Sequence, residues 1–144
     1  MSEVLQRNAE EVEEIAAGLG LMCFLPEENE VFLDLDVEDA PEVMFGGVHQ
    51  TLQDNGIRLT DQLRTKSKNG NSHLYFKCSR VLKQWERILI QTALGSDPVK
   101  EVLSMMRLWQ VNTTAPVALF ETKVQAIRVR QWRAKIKEVM EVAF

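Results

Sequence analysis

The segment Ser67-Lys68-Asn69-Gly70-Asn71 lies between two runs whose apolar residues alternate, and that combination limits the fold more than any other feature of the chain. Ile57 to Thr65 sets Ile57, Leu59 and Leu63 against Arg58, Thr60 and Arg64, and Ser72 to Cys78 sets Leu74, Phe76 and Cys78 against His73, Tyr75 and Lys77. A period of two marks a strand with one buried side, and Asn and Gly tolerate the positive-φ positions of tight turns. The two runs are therefore expected to pair as an antiparallel hairpin. The same alternation puts Arg58, Thr60, Gln62, Arg64 and Lys66 on one side of the first strand. Set beside His73, Tyr75 and Lys77, they predict a sheet with one face covered by helices and one open, polar face.

Helical spacing accounts for most of the remainder. Val4, Leu5, Ala9, Val12, Ile15, Ala16 and Leu19 predict an acidic amphipathic helix that stops at Gly18 and Gly20. An extended segment from Met22 to Leu25, a turn at Pro26 to Asn29 and a strand from Val31 to Asp36 follow. Further helices are expected over Pro41 to Gln53, over Leu82 to Leu94 with Trp85, Ile88, Leu89 and Thr92 on one side, and from Asp97-Pro98 with Val99, Val102, Leu103 and Met106 inward. Trp85 and Trp109 are core residues by this pattern. A short β-rich run, Pro116 to Glu121, precedes a final helix, Val124 to Val142. The order α-β-α-β-β-α-α-β-α over residues 1–144 predicts one α+β domain in two layers.

Composition excludes several classes of function. An apolar share of 45% and a charged share of 26% are those of an ordinary globular domain, and a net charge of −4 argues against a chain built chiefly to coat nucleic acid. Cys23 and Cys78 lie in apolar surroundings without C-x-x-C spacing, which suits reduced core thiols better than zinc. No run approaches the roughly 18 apolar residues of a membrane span, and the first segment is acidic rather than a signal peptide, so a cytoplasmic protein with no membrane partner is expected.

Val31-Phe32-Leu33-Asp34-Leu35-Asp36 places two carboxylates in an otherwise apolar strand. Alternation sends both to the side of Phe32, about 6–7 Å apart, where they repel each other and lose hydration unless a counter-charge is near. A divalent cation is the usual counter-charge. Carboxylate oxygens suit Mg²⁺ or Mn²⁺, and those ions in turn grip phosphate, so the pattern points to phosphoryl or nucleotidyl chemistry. If this strand lies beside the hairpin, Asp34 and Asp36 meet His73, with Arg58, Arg64, Lys66 and Lys77 around them to neutralise a triphosphate.

The hydrophobic strand ending in D-x-D, followed later by the turn and strand Ser67 to Phe76 with its histidine, resembles the archaeo-eukaryotic primase superfamily, which includes the primase-polymerases of plasmids and phages. The resemblance spans Val31 to Glu121. It implies an RRM-like catalytic palm and a metal-dependent nucleotidyltransferase of DNA primase or polymerase type, in a small phage or mobile-element-like form. It also implies that Asp34 and Asp36 bind Mg²⁺ or Mn²⁺ and that His73 contacts the incoming nucleoside triphosphate. Glu121, closing Val117-Ala118-Leu119-Phe120, is the candidate third acid of the metal site. The implied partners are a nucleoside triphosphate, a single-stranded or template nucleic acid, and replication or other proteins. The sequence departs from the family pattern at Asn71, where a small residue is usual two positions before the histidine, and in its short length.

A different class of function stays open: a non-catalytic RRM-like module that binds a nucleotide, a nucleic acid or a protein partner. Other residues have plain structural explanations. His49 lacks a ligand partner at metal spacing, and Asp97 before Pro98 fits a helix N-cap. Arg128, Arg130, Arg133, Lys135 and Lys137 make the last helix basic, so it either pairs with acidic segments or faces nucleic acid.

Overall fold

A computed structural model describes residues 9–35, 46–111 and 118–143 of the protein. Along the chain these form α1 (Ala9–Gly18), β1 (Met22–Phe24), β2 (Glu30–Leu35), α2 (Gly46–Asp54), β3 (Leu59–Lys66), β4 (Ser72–Cys78), α3 (Gln84–Ala93), α4 (Pro98–Val111), β5 (Leu119–Glu121) and α5 (Lys123–Ala143). The α+β class and the element order expected from the sequence are present, with the extended segment at Met22 forming a strand of its own. The strands make two antiparallel sheets, β2-β4-β3 and β1-β5. The hairpin closes through Ser67 N–H to the Asn71 carbonyl (2.8 Å) and Gly70 N–H to the Ser67 carbonyl (2.9 Å). Gly70 takes φ +88°, the left-handed conformation for which glycine is suited.

Both faces of the three-stranded sheet are covered, which corrects the expectation of an open face. On the first face Val31, Leu33, Leu35, Leu74, Phe76 and Cys78 pack with Ile57, Leu82, Ile90 and Leu94. On the second, Phe32 and Tyr75 pack against Phe24, Leu119, Ala126 and Val129, so the β1-β5 ribbon and α5 form a third layer. The polar residues that alternate along β2 and β4 do not face water. They pair with one another beneath that layer, with Glu30 opposite Lys77 and Asp34 opposite His73.

A β-bulge explains the error in β3. The register shifts between Leu59, opposite Cys78, and Asp61, opposite Lys77, leaving Thr60 as an extra residue. One inserted residue exchanges the faces of everything beyond it. Leu59 therefore joins the first core while Leu63 and Thr65 face the second.

The outer edge of β2 is closed by side chains. Arg87 Nε donates to the Glu30 carbonyl (2.8 Å), Gln91 Oε1 accepts from Phe32 N–H (3.0 Å), and Ser96 Oγ accepts from Asp34 N–H (3.1 Å). Asp97 N–H then donates to the Asp34 carbonyl (2.8 Å). Four helical residues rise about 6 Å and two strand residues about 6.6 Å, so Arg87 and Gln91 on α3 match alternate positions of β2. This match turns α3 so that Arg87, Ile88, Ile90 and Gln91 are buried. Trp85 and Leu89 are exposed instead of buried, and Trp109 on α4 is 76% exposed. Asp97 caps α4 as expected, accepting from Val99 N–H at 3.0 Å. The Cys78 thiol is buried and Cys23 half-buried, both free, and burial pushes both up to about 11, so they remain thiols. No helix among the described residues is long and apolar enough to cross a membrane.

Candidate functional site

One rung of the second face runs Asp34, His73, Thr65 across β2, β4 and β3. The adjacency of β2 to the hairpin, on which the sequence reading depended, is therefore present. Glu121, the last residue of β5, comes over this rung because β5 pairs with β1, with Glu121 opposite Met22. Its Oε1 lies 2.8 Å from His73 Nδ1, and its Oε2 accepts hydrogen bonds from the Tyr75 hydroxyl (2.6 Å) and from the Thr65 hydroxyl. Burial first, and the Glu121 carboxylate second, push the Tyr75 phenol well above its ordinary range, so it stays a donor.

The contact with Glu121 at Nδ1 fixes the orientation of the imidazole. Nε2 is left pointing toward Asp34, 3.6 Å from its Oδ1. That separation is too long for a direct hydrogen bond. The other Asp34 oxygen, Oδ2, is bonded by the Lys100 ammonium from α4. Asp34 is thus fixed through its backbone by Ser96 and Asp97 and through its side chain by Lys100.

Asp34 and His73, 8% and 4% exposed, form part of the wall of a cavity of about 520 Å³. Lys68 of the β3–β4 turn and Lys100, Ser104 and Arg107 of α4 also line it. A concave site with several cations and an oriented imidazole suits an anionic ligand and proton transfer or cation binding at Nε2.

Asp34 Oδ1 and His73 Nε2 are an oxygen and a nitrogen 3.6 Å apart, on two residues that line the cavity. Glu121 is fully buried, and its oxygens already accept from three side chains, so it lies behind His73 as an orienting group. Among the described residues, no group of three His, Cys, Asp or Glu is arranged to hold a metal ion. Asp36 lies outside the described residues.

The proposed phosphate-binding cations are not gathered around His73. Arg64 pairs with Leu74 and Lys66 with Ser72, which places both on the face opposite His73, and Arg58 is exposed ahead of β3. Lys77 shares the face of His73 but sits four residues away, bound to Glu27 and Glu30 at 3.2 Å each. The cations at the cavity are instead Lys68, Lys100 and Arg107, which sequence reasoning did not select. Lys68 had a visible signal in its place within the turn before His73. Lys100 and Arg107 had only their helical spacing, indistinguishable from a solvated helix face. Comparison with known proteins finds no matching family model, no matching curated protein and no matching solved structure.

Proposed function

We propose that the protein binds a nucleoside triphosphate together with Mg²⁺ or Mn²⁺ in the cavity bounded by Asp34 and His73, and that it transfers nucleotidyl groups in the manner of a primase-polymerase. The supporting observation is the cross-strand pair itself: Asp34 and His73 stand 3.6 Å apart at the cavity, with Glu121 holding the imidazole from behind. A cation held by Asp34, with His73 Nε2 beside it, would supply positive charge at the transferring phosphate. The residues of the chain supply the rest. Asp34 offers its carboxylate, His73 is kept in one orientation by Glu121, and Lys68, Lys100 and Arg107 bring charge to the polyphosphate.

In the transfer a hydroxyl oxygen forms a bond to the α-phosphorus, the α–β phosphoanhydride bond breaks, pyrophosphate leaves and the hydroxyl proton passes to solvent water. An RRM-like module that reads nucleic acid on an open sheet is disfavoured by burial, since Phe32 and Tyr75 have no exposure. The test is incorporation of labelled nucleotide on a single-stranded template with Mn²⁺. Wild type is expected to extend it, and Asp34→Asn and His73→Ala, each retaining the wild-type thermal midpoint, to fall by at least about a hundredfold. Incorporation unchanged in both variants would sink the assignment.

A further inference from the structure

The cavity beside Asp34 draws its lining from two sources of different chemistry. Val12 and Ile15 of α1, Leu21 just before β1, and Phe120 of β5 bring apolar surface. These elements form one packed group, since α1 packs on β1 and β1 pairs with β5. Lys100, Ser104 and Arg107 follow one another at i, i+4 and i+7, so they form one side of α4, with Leu103 among them. Lys68 faces the same space from the β3–β4 turn and makes no ion pair among the described residues.

The charges of the lining favour an anion. Three cationic side chains, Lys68, Lys100 and Arg107, stand against two carboxylates, Asp34 and Asp97. Both carboxylates are engaged within the protein: Asp34 is bonded by the Lys100 ammonium, and Asp97 accepts from Val99 N–H at 3.0 Å. Lys100 has further capacity. An ammonium carries three N–H donors, so it can hold Asp34 and donate to a ligand oxygen at once. A volume of about 520 Å³ is that of a small-molecule site, where apolar walls supply affinity and a few polar groups fix one end of the ligand.

We propose that this cavity binds a small organic anion with an apolar body, an aryl or alkyl phosphate or carboxylate, without a metal ion. The anionic head lies with Lys68, Lys100, Ser104 and Arg107, and the body lies against Ile15, Leu21, Leu103 and Phe120. The site does not rest on the triphosphate reading. Its test removes metal with EDTA, so either assignment can fail without the other.

Calorimetric titration in EDTA uses four probes: 1-naphthyl phosphate, 1-naphthoate, inorganic phosphate for the head alone and 1-naphthol for the body alone. At least one of the naphthyl anions is expected to bind wild type about tenfold or more tightly than either half, because burial of the rings and pairing of the head act together. Whichever naphthyl anion binds more tightly identifies the head group. Lys68→Met and Lys100→Met are each expected to weaken that binding about three- to tenfold, and Leu103→Ser to weaken it about fivefold, with thermal midpoints as the check on folding.

The comparison of probes is made on wild type, so it holds even where a variant fails to fold. Absence of binding by both naphthyl anions would overturn the proposal, as would binding that appears only when Mn²⁺ replaces EDTA. Inorganic phosphate binding as tightly as 1-naphthyl phosphate would remove the apolar half, and 1-naphthol binding as tightly would remove the cationic half. Affinity unchanged in folded Lys68→Met and Lys100→Met would place the ligand outside this cavity.

Discussion

The two ends of the second sheet face carry similar residues and differ in what surrounds them. At one end Glu30 lies opposite Lys77, and at the other, four residues along, Asp34 lies opposite His73, with the Phe32–Tyr75 rung between. Glu30 has no exposure, and its carboxylate receives Arg133 from α5 at 2.6 Å and 3.1 Å, Lys77 at 3.2 Å and the Glu27 N–H at 2.8 Å. Arg133 also stands over the Phe24 and Phe32 rings, 5.5 Å and 5.8 Å from their centroids. Every charge there is answered by protein. At the Asp34 end the layer formed by β5 stops at Glu121, and the next space is the cavity. A carboxylate enclosed with its cations holds the layers of the fold together, whereas Asp34 and His73 stand beside a cavity.

The largest expected effect lies at the sealed end. Glu30→Gln leaves Arg133 and Lys77 without their main counter-charge and is expected to cost about 3–5 kcal/mol, toward the lower value because Glu27 also reaches both cations. Urea unfolding measures this directly. A loss below about 1 kcal/mol would break the comparison, because the sealed end would then contribute no more than a surface pair.

Behind Asp34, the Glu101 carboxylate accepts from Gln91 Nε2 at 3.0 Å and 3.1 Å and is also hydrogen-bonded with the Ser96 side chain. Burial first, with Asp97 adding to it, raises its carboxyl from 4.5 to about 7. The folded state therefore holds this proton more tightly than the unfolded chain. The resulting stability is complete below about 4.5 and is lost as pH rises through about 7. The change is on the order of a few kcal/mol. Stability of wild type relative to Glu101→Gln should fall across that window, and parallel pH profiles would contradict the assignment. Smallest is Asp34→Asn, expected to change unfolding free energy by about 1 kcal/mol or less, since its Lys100 partner is partly exposed. A loss equal to that of Glu30→Gln would make the two ends alike.

Much of the fold was legible in local pattern. The Asn-Gly turn and its flanking alternation specified the hairpin, and Asp97-Pro98 specified the start of α4. Alternation failed where a longer-range partner decided the outcome. Thr60 is an ordinary strand residue in sequence, yet as the bulge it exchanges the faces of Arg64 and Lys66. Arg87 and Gln91 look like solvent-facing residues until β2 supplies its unpaired edge groups, and rotating α3 to meet them is what exposes Trp85. The candidate site was legible to the extent that it lay on neighbouring strands. Asp34 and His73 meet, and Glu121 joins them through the β1-β5 ribbon. Lys100 belongs to a separate helix, and nothing local in its sequence distinguishes it from other exposed lysines.

The central claim is that Asp34 and His73 form a cation-dependent triphosphate site, and calorimetric titration of a nucleoside triphosphate tests it most directly. The titration is made with and without Mn²⁺ into wild type and into Asp34→Asn. The predicted result is binding by wild type that requires Mn²⁺ and is lost in a variant whose thermal midpoint is preserved. Binding that is indifferent to Mn²⁺, or that survives in Asp34→Asn, would contradict it.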